Sequence, residues 1–296
     1  MARVTSTETR PDPALYPKVF EPTARYSDLD PSRRIGREAL VRWFEDARVA
    51  VELDAFGADL ADRQRARVGQ LLVSVKVDVI APLRIAGRYR VGIGVSHIGT
   101  KSFSYSYGVF AGDDLVATGE STSVYTEGGV TTAIPADLRE ALLEVQLPGA
   151  GHGRVEFEPS RLVRENYPFR YDVRTRFGDL DTNRHVNNVA LAGWYLDGLA
   201  ELHTDVLGYP VGGPLDGLEP SSLHVEYLAE VRFPGIYQLR VGLVDIDDTQ
   251  ARYACGLFDG RRCIGLADAV GAHSTHDTDG DQVDLGAALQ PFRMKG

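Results

Sequence analysis

A chain of 296 residues has room for two modest cores, and its 43% hydrophobic, 25% charged composition is that of an ordinary globular protein. The net charge of -10 argues against a general nucleic-acid binder, which needs a basic face. No apolar run approaches the roughly 18 residues of a membrane-spanning helix. Two cysteines make no disulfide framework, and a polar N-terminus with no apolar stretch reads as a loose leader, so a cytoplasmic address is expected.

After that leader the chain predicts a short strand, then a polar loop and helix in "RYSDLDPSRRIGREALVRWFEDA", residues 25–47. Leu40, Trp43, Phe44, Ala47 and Val51 recur at helical spacing. Runs such as "LLVSVKVDVIAPL", "YRVGIGVSHIG", "KSFSYSYGVFAG" and "LVATGESTSVYT" follow, rich in β-branched and aromatic residues with glycine turns between them, and predict consecutive antiparallel strands. The segment 136–165, with "QLPGAGHGR", reads as a linker. Arginines in "PSRRIGRE" and "ADRQRARVG" offer local positive charge for an anionic partner, although surface arginines usually serve solubility alone.

At residue 176 the phrase returns as "RFGDLDTNRHVNNVALAGWYLDG". The offset of 151 holds without a gap from Arg25/Arg176 to Asp46/Asp197; downstream it becomes 148, pairing "VDVIAPLRIAGRYRV" with "VEYLAEVRFPGIYQL". Leu191, Trp194, Tyr195, Leu199 and Leu202 form the second apolar helix face. Near the end, Asp259-Gly260 predicts a two-residue hairpin that sets Cys255 and Cys263 on opposite faces, which disfavours a bridge. "HSTHDTDGDQVDLG" lacks the glycine and glutamate positions of a calcium loop and reads as solvated tail. The expected architecture is α+β: one module over 15–135, the linker over 136–165, a second module over 166–272 and a polar tail over 273–296, with each sheet covering its apolar face with one helix.

Comparing the copies separates scaffold from chemistry. Asp28 and Asp179 stand in both, where a short acidic side chain can cap free amides. Present only in the second copy are Asn183 for Ser32, His185 for Arg34, Asn187 for Gly36, Asn188 for Arg37 and Glu230 for Pro82. Asp181, Asn183 and His185 alternate, so in an extended stretch they share one face, beside a helix N-terminus whose free amides and dipole suit an oxyanion. A carboxylate can activate water or attack an activated carbonyl there, with His and Asn orienting it. A thiol leaving group, with a pKa of about 8.5, needs little acid assistance, so a thioester is a suitable target.

The tandem modules carrying "DLDTNRHVNNVALAGW" resemble the acyl-ACP thioesterase family, built from two fused hotdog domains, over roughly residues 15–272. The first half resembles single-domain hotdog thioesterases, including the 4-hydroxybenzoyl-CoA type. The resemblance implies hydrolysis of fatty acyl thioesters on ACP or CoA, without cofactor or metal and without nucleic-acid or membrane partners. Its D-x-N-x-H pattern falls on catalytic Asp181, Asn183 and His185, and its glutamate on Glu230; the cysteine that often follows is Val231 here. Asp181 would be base or nucleophile, Asn183 and His185 would orient it and the water, Glu230 would assist, and the amides of Val186, Asn187 and Asn188 would hold the oxyanion. Asp30 would mark a second or degenerate site. The acyl chain would lie in an apolar channel between helix and sheet in the first half, and the fused pairs would be able to dimerise. Two alternatives stay open: a non-catalytic acyl-thioester binder, and a hotdog hydratase or dehydratase, whose D-x-N-P-x-H spacing differs by one residue.

Overall fold

The computed structural model describes residues 12–56, 68–148, 157–207, 219–271 and 284–295. The arginines of 61–67 and the tail segment 273–283 lie outside the described residues. In the first half the order is β1 (Lys18–Phe20), a 3-10 turn, α1 (Arg37–Phe56), β2 (Val68–Val79), β3 (Tyr89–Ile98), β4 (Ser102–Ala111), β5 (Asp114–Glu127), the short β6 (Val130–Thr131) and α2 (Ala136–Glu144). The second half repeats it: β7 (Phe169–Arg174), a 3-10 turn, α3 (Asn188–Leu207), β8 (Ser222–Tyr227), β9 (Ile236–Ile246), β10 (Ala251–Asp259), β11 (Arg262–Gly271) and α4 (Leu285–Leu289).

All ten residues expected on the two helix faces are buried. Close approach of helix to sheet is set by small residues: a Cβ on Gly119 of β5 would strike the Phe44 ring, and one on Gly198 of α3 would strike Leu239. Phe44 stacks on Tyr107 with ring centroids 4.4 Å apart. Trp43 meets Tyr89 in the first half as Trp194 meets Tyr237 in the second, which shows how the repeated tryptophan was retained for packing.

The strands form one antiparallel sheet in the order β1-β3-β4-β5-β2-β8-β11-β10-β9-β7. Read from either end, the order is the same, so the halves are related by a pseudo-two-fold axis. They join where β2 pairs β8 antiparallel, centred on Lys76↔His224, two positions equivalent at the offset of 148. That pairing buries two edges that would otherwise stand open. With one long helix on each half-sheet, this is a double hotdog of the α+β class.

Three local expectations are corrected. The segment expected as a linker from 136 carries α2, whose Leu138 and Leu142 are buried one turn apart, and whose continuation bridges Val95 of β3. The segment expected as a polar tail likewise ends in α4, with Leu285 and Leu289 buried, before Arg293 bridges Leu243 of β9. Val95 and Leu243 are equivalent positions, so both segments are the closing helix of a module. In the last hairpin the turn is Gly260-Arg261, one residue later than expected, so Cys263 faces Phe258; a bulge then sets Leu257 opposite Gly265, and both cysteines are free thiols. Among the described residues no helix is long and apolar enough to cross a membrane.

Candidate active site

The D-x-N-x-H stretch folds as a tight turn leading into α3. Asp181 Oδ1 accepts the backbone N–H groups of Asn183 (2.8 Å) and His185 (3.2 Å), and Asn183 Nδ2 reaches Oδ2 at 3.4 Å. Arg184 supplies the left-handed residue the turn needs, with φ of 65°. The first copy builds the same turn: Asp30 Oδ1 accepts from Ser32 and Arg34, and Arg33 has φ of 63°. Because Asp30 makes these bonds with no histidine present, one oxygen of Asp181 is committed to turn geometry. Asp28 and Asp179 are structural as well, though each caps the 3-10 turn before this loop rather than the long helix, accepting the N–H of Arg25 and of Arg176.

His185 Nε2 lies 3.1 Å from Glu230 Oε2, so two residues 45 positions apart in sequence meet as a dyad. Glu230 is placed by the loop before β9, where the Tyr237 hydroxyl accepts the Arg232 N–H at 3.0 Å and donates to its carbonyl at 3.2 Å. Tyr89 clamps Arg84 identically in the first half, so the clamp is scaffold and the glutamate is the addition. Arg232 also reaches Glu230, at 3.4 Å.

Of the three amides expected to hold an oxyanion, two are already used. Val186 N–H donates to the Val231 carbonyl at 2.9 Å and Asn187 N–H to the Asp179 carbonyl at 2.7 Å, because the loop is stitched to its neighbours before α3 begins. Asn188, first residue of α3, lines a cleft, and among the described residues its N–H has no backbone acceptor. Asn187 acts as the helix cap: its Oδ1 accepts the Val189 N–H at 2.6 Å.

That cleft is composite. Asn188 from the second half closes one side, and α1 of the first half supplies Val41, Phe44, Glu45 and Arg48 on the other, over β-strand residues Leu72, Val75, Tyr107 and Ser121. Its interior amounts to about 10 Å³, room for roughly one water molecule, below a mouth open to solvent. Leu72 and Val75 share a face three residues apart because a bulge in β2 lies between them. Asn187 Nδ2 donates to the Glu45 carboxylate at 3.2 Å, fixing it beside the helix N-terminus. Arg48 is buried and bonded to Glu52 at 3.1 Å, with Glu45 at 3.9 Å. Burial is the largest single effect and lowers its proton affinity, but Glu52, Tyr107 and Glu45 together outweigh it and the net shift is upward. The cleft is therefore not the purely apolar channel expected. Glu45 and Arg48 are also the residues missed by reading the second copy alone; at the offset of 151 they become Leu196 and Leu199, a polar-to-apolar contrast that marks them.

Residues 163–239 match the family model described as the acyl-ACP thioesterase C-terminal domain, and residues 24–142 match the thioesterase-like superfamily. The second half thus carries the C-terminal domain of acyl-ACP thioesterases, and the first half a thioesterase-like domain. No curated protein sequence matches the chain. Its tandem hotdog fold is shared with solved structures of low identity: a provisionally assigned oleoyl thioesterase from Lactobacillus plantarum (16% identity, 87% of this chain and 96% of that one, TM-score 0.70), a 12:0-ACP thioesterase from Umbellularia californica (16%, 85% and 96%, 0.66) and an acyl-ACP thioesterase from Bacteroides thetaiotaomicron (13%, 86% and 97%, 0.64).

The start of α1, related to that of α3 by the pseudo-two-fold, is filled by a side chain. Arg37, equivalent to Asn188, donates its backbone N–H to Glu219 Oε2 at 3.0 Å, and its guanidinium reaches the same oxygen at 3.1 Å. Gly36 leaves room for this, since a Cβ there would lie 2.8 Å from Glu219 Oε1. Burial pushes the Glu219 carboxyl above its ordinary value, and Arg37 pulls the other way without cancelling it. A carboxylate thus occupies the place an oxyanion would take at α1. Glu219→Ala is expected to cost about 3 kcal/mol of stability in chemical denaturation, because it strands a mostly buried Arg37. Thioester hydrolysis should be unchanged in that variant.

Proposed function

We propose that this protein hydrolyses fatty acyl thioesters of ACP or CoA at one composite site, between the N-terminus of α3 and the middle of α1. The observation that carries this reading is the contrast between the two helix starts: Asn188 lines a cleft together with Glu45 and its N–H has no backbone acceptor among the described residues, whereas the Arg37 amide is taken by Glu219. The first helix start is occupied by a carboxylate, and the second is open to an oxyanion. The two domain matches support the same reaction class.

In this mechanism the thioester carbonyl oxygen points at the Asn188 N–H and the positive end of α3. Glu45, held by Asn187, takes a proton from water as the water oxygen attacks the carbonyl carbon. The C–S bond then breaks, and the thiolate leaves with little need for an acid, its conjugate thiol having a pKa of about 8.5. His185, held by Glu230 and three residues before Asn188, gives a proton to the departing thiolate and orients the carrier end of the substrate; Glu45 then releases its proton to solvent and His185 takes one up, which restores both groups. Asp181 and Asn183 are positioning residues that hold the turn, and Asp30 does the same for the degenerate site. This revises the role of base, which moves from Asp181 to Glu45, because an oxygen of Asp181 is spent on its own turn. Cytoplasmic residence, an acyl-ACP or acyl-CoA partner and association of fused pairs into a dimer belong to the same reading.

Release of free thiol from a panel of acyl-CoA and acyl-ACP substrates, followed with a chromogenic disulfide, tests it. Hydrolysis by wild type that falls at least tenfold in His185→Ala is the expected result. No hydrolysis of any substrate would move the assignment to an acyl-thioester binder.

A further inference from the structure

The interior of the first half, where an acyl chain entering the composite cleft would lie, carries buried polar groups that neither packing nor the hydrolytic step uses. Tyr105 and Ser123 are 1% and 0% exposed, and neither the Tyr105 hydroxyl nor the Ser123 Oγ has a hydrogen-bond partner. An unsatisfied buried hydroxyl costs about 1–3 kcal/mol, so two on facing strands of one core call for a partner that binds there.

They lie on the same sheet face as the cleft-lining Tyr107 and Ser121, one pair further along it. Tyr105 and Tyr107 lie two apart on β4, and Ser121 and Ser123 two apart on β5, so all four project toward α1. Tyr105 pairs in register with Ser121, and the Tyr105 and Tyr107 rings are 6.5 Å apart. Tyr107 and Ser121 line the cleft and satisfy each other at 2.7 Å; Tyr105 and Ser123 lie one step further in and do not. On the helix side Glu45, Arg48 and Glu52 follow the same direction, and the Glu52 carboxylate acts electrostatically on Tyr105. From Glu45 to Glu52 is about 10 Å along the helix axis.

Resting on the hydrolytic reading of the same site, we propose that the preferred substrate is a medium-length acyl thioester bearing an oxygen function, a hydroxyl in the simplest case, near its distal end, where Tyr105 and Ser123 receive it. An unsubstituted chain would leave both hydroxyls without a partner, and a hydroxyl next to the thioester would sit too near the mouth. Specificity is then set by which substrate satisfies buried groups rather than by chain length alone.

The test compares octanoyl-CoA, β-hydroxyoctanoyl-CoA and ω-hydroxyoctanoyl-CoA as substrates for wild type, Tyr105→Phe and Ser123→Ala. Tyr105→Phe loses no hydrogen bond of the free protein, so it should fold normally. The expected result is a kcat/KM about tenfold higher for the ω-hydroxy substrate than for octanoyl, with that ratio falling to near parity in Tyr105→Phe. Equal rates for the three substrates, preference for the plain or β-hydroxy chain, or a preference that survives both substitutions would overturn the proposal. If no thioester is hydrolysed, the catalytic reading has failed, and the pocket is judged by calorimetric binding of ω-hydroxyoctanoate against octanoate. Tighter uptake of the hydroxy acid that is lost in Tyr105→Phe sustains it, and equal binding overturns it.

Discussion

Glu45→Gln is expected to lower kcat for thioester hydrolysis by about 10²–10⁴, the usual worth of a general base, with KM changed little. The substitution keeps the shape of the side chain and leaves an oxygen to accept from Asn187, so the cleft should persist and the loss should report proton transfer. Arg48 keeps Glu52 as its buried counter-charge, so folding should survive, which an unchanged thermal melting curve would check. Asp181→Asn supplies the comparison. It preserves an oxygen for the Asn183 and His185 N–H groups, so it should cost much less than Glu45→Gln. The reverse order of losses would return the role of base to Asp181.

Asn188→Pro should cost about 10²–10³ in kcat, the typical value of one oxyanion donor, while the protein stays folded. Proline is tolerated at the first position of a helix because the missing N–H has no partner within the helix, and its fixed φ suits the start. Asn188 holds that position in α3, and no other group in the described structure accepts its N–H. Asn188→Ala separates the amide from the side chain: it keeps the donor and should retain most activity. Comparable losses in both variants, measured by thiol release, would mean that the side chain or the local packing matters and the amide does not.

The fold was largely legible because its signals are local. Leu40 through Val51 and Leu191 through Leu202 wrote their helix faces at fixed spacing, and the doubled phrase announced the pairing of two modules before any strand was placed. What escaped was short or register-dependent. The closing helices α2 and α4 each bury only two leucines a turn apart, too little pattern to stand out from a polar stretch. The last hairpin turns one residue later than expected because Asp259-Gly260 and Gly260-Arg261 are both polar glycine-containing pairs, between which residue type alone does not choose.

The site divides the same way. The turn from Asp181 to His185 is contiguous, so its residues could be listed from sequence. Glu230 was drawn into the candidate site by the repeat and by the family resemblance, but its meeting with His185 was not. Glu45 stands 142 residues from Asn187, on a helix of the other half, and its role depends on the two halves packing across the pseudo-two-fold. Which amide stays open depends on backbone bonds from Val186 to Val231 and from Asn187 to Asp179, which no residue type encodes. Glu219 lies outside the aligned repeat, so the plug at Arg37 could not be read from it.

The central claim is that one of two pseudo-symmetric sites is alive and that it draws residues from both halves. The most direct test is the rate of free-thiol release from an acyl-CoA panel by wild type, Glu45→Gln and Asp30→Asn, the last retaining the acceptor its turn needs. Hydrolysis that is lost in Glu45→Gln and retained in Asp30→Asn is the predicted result. Hydrolysis retained in Glu45→Gln and lost in Asp30→Asn would contradict it, placing the chemistry at the helix start that Glu219 occupies.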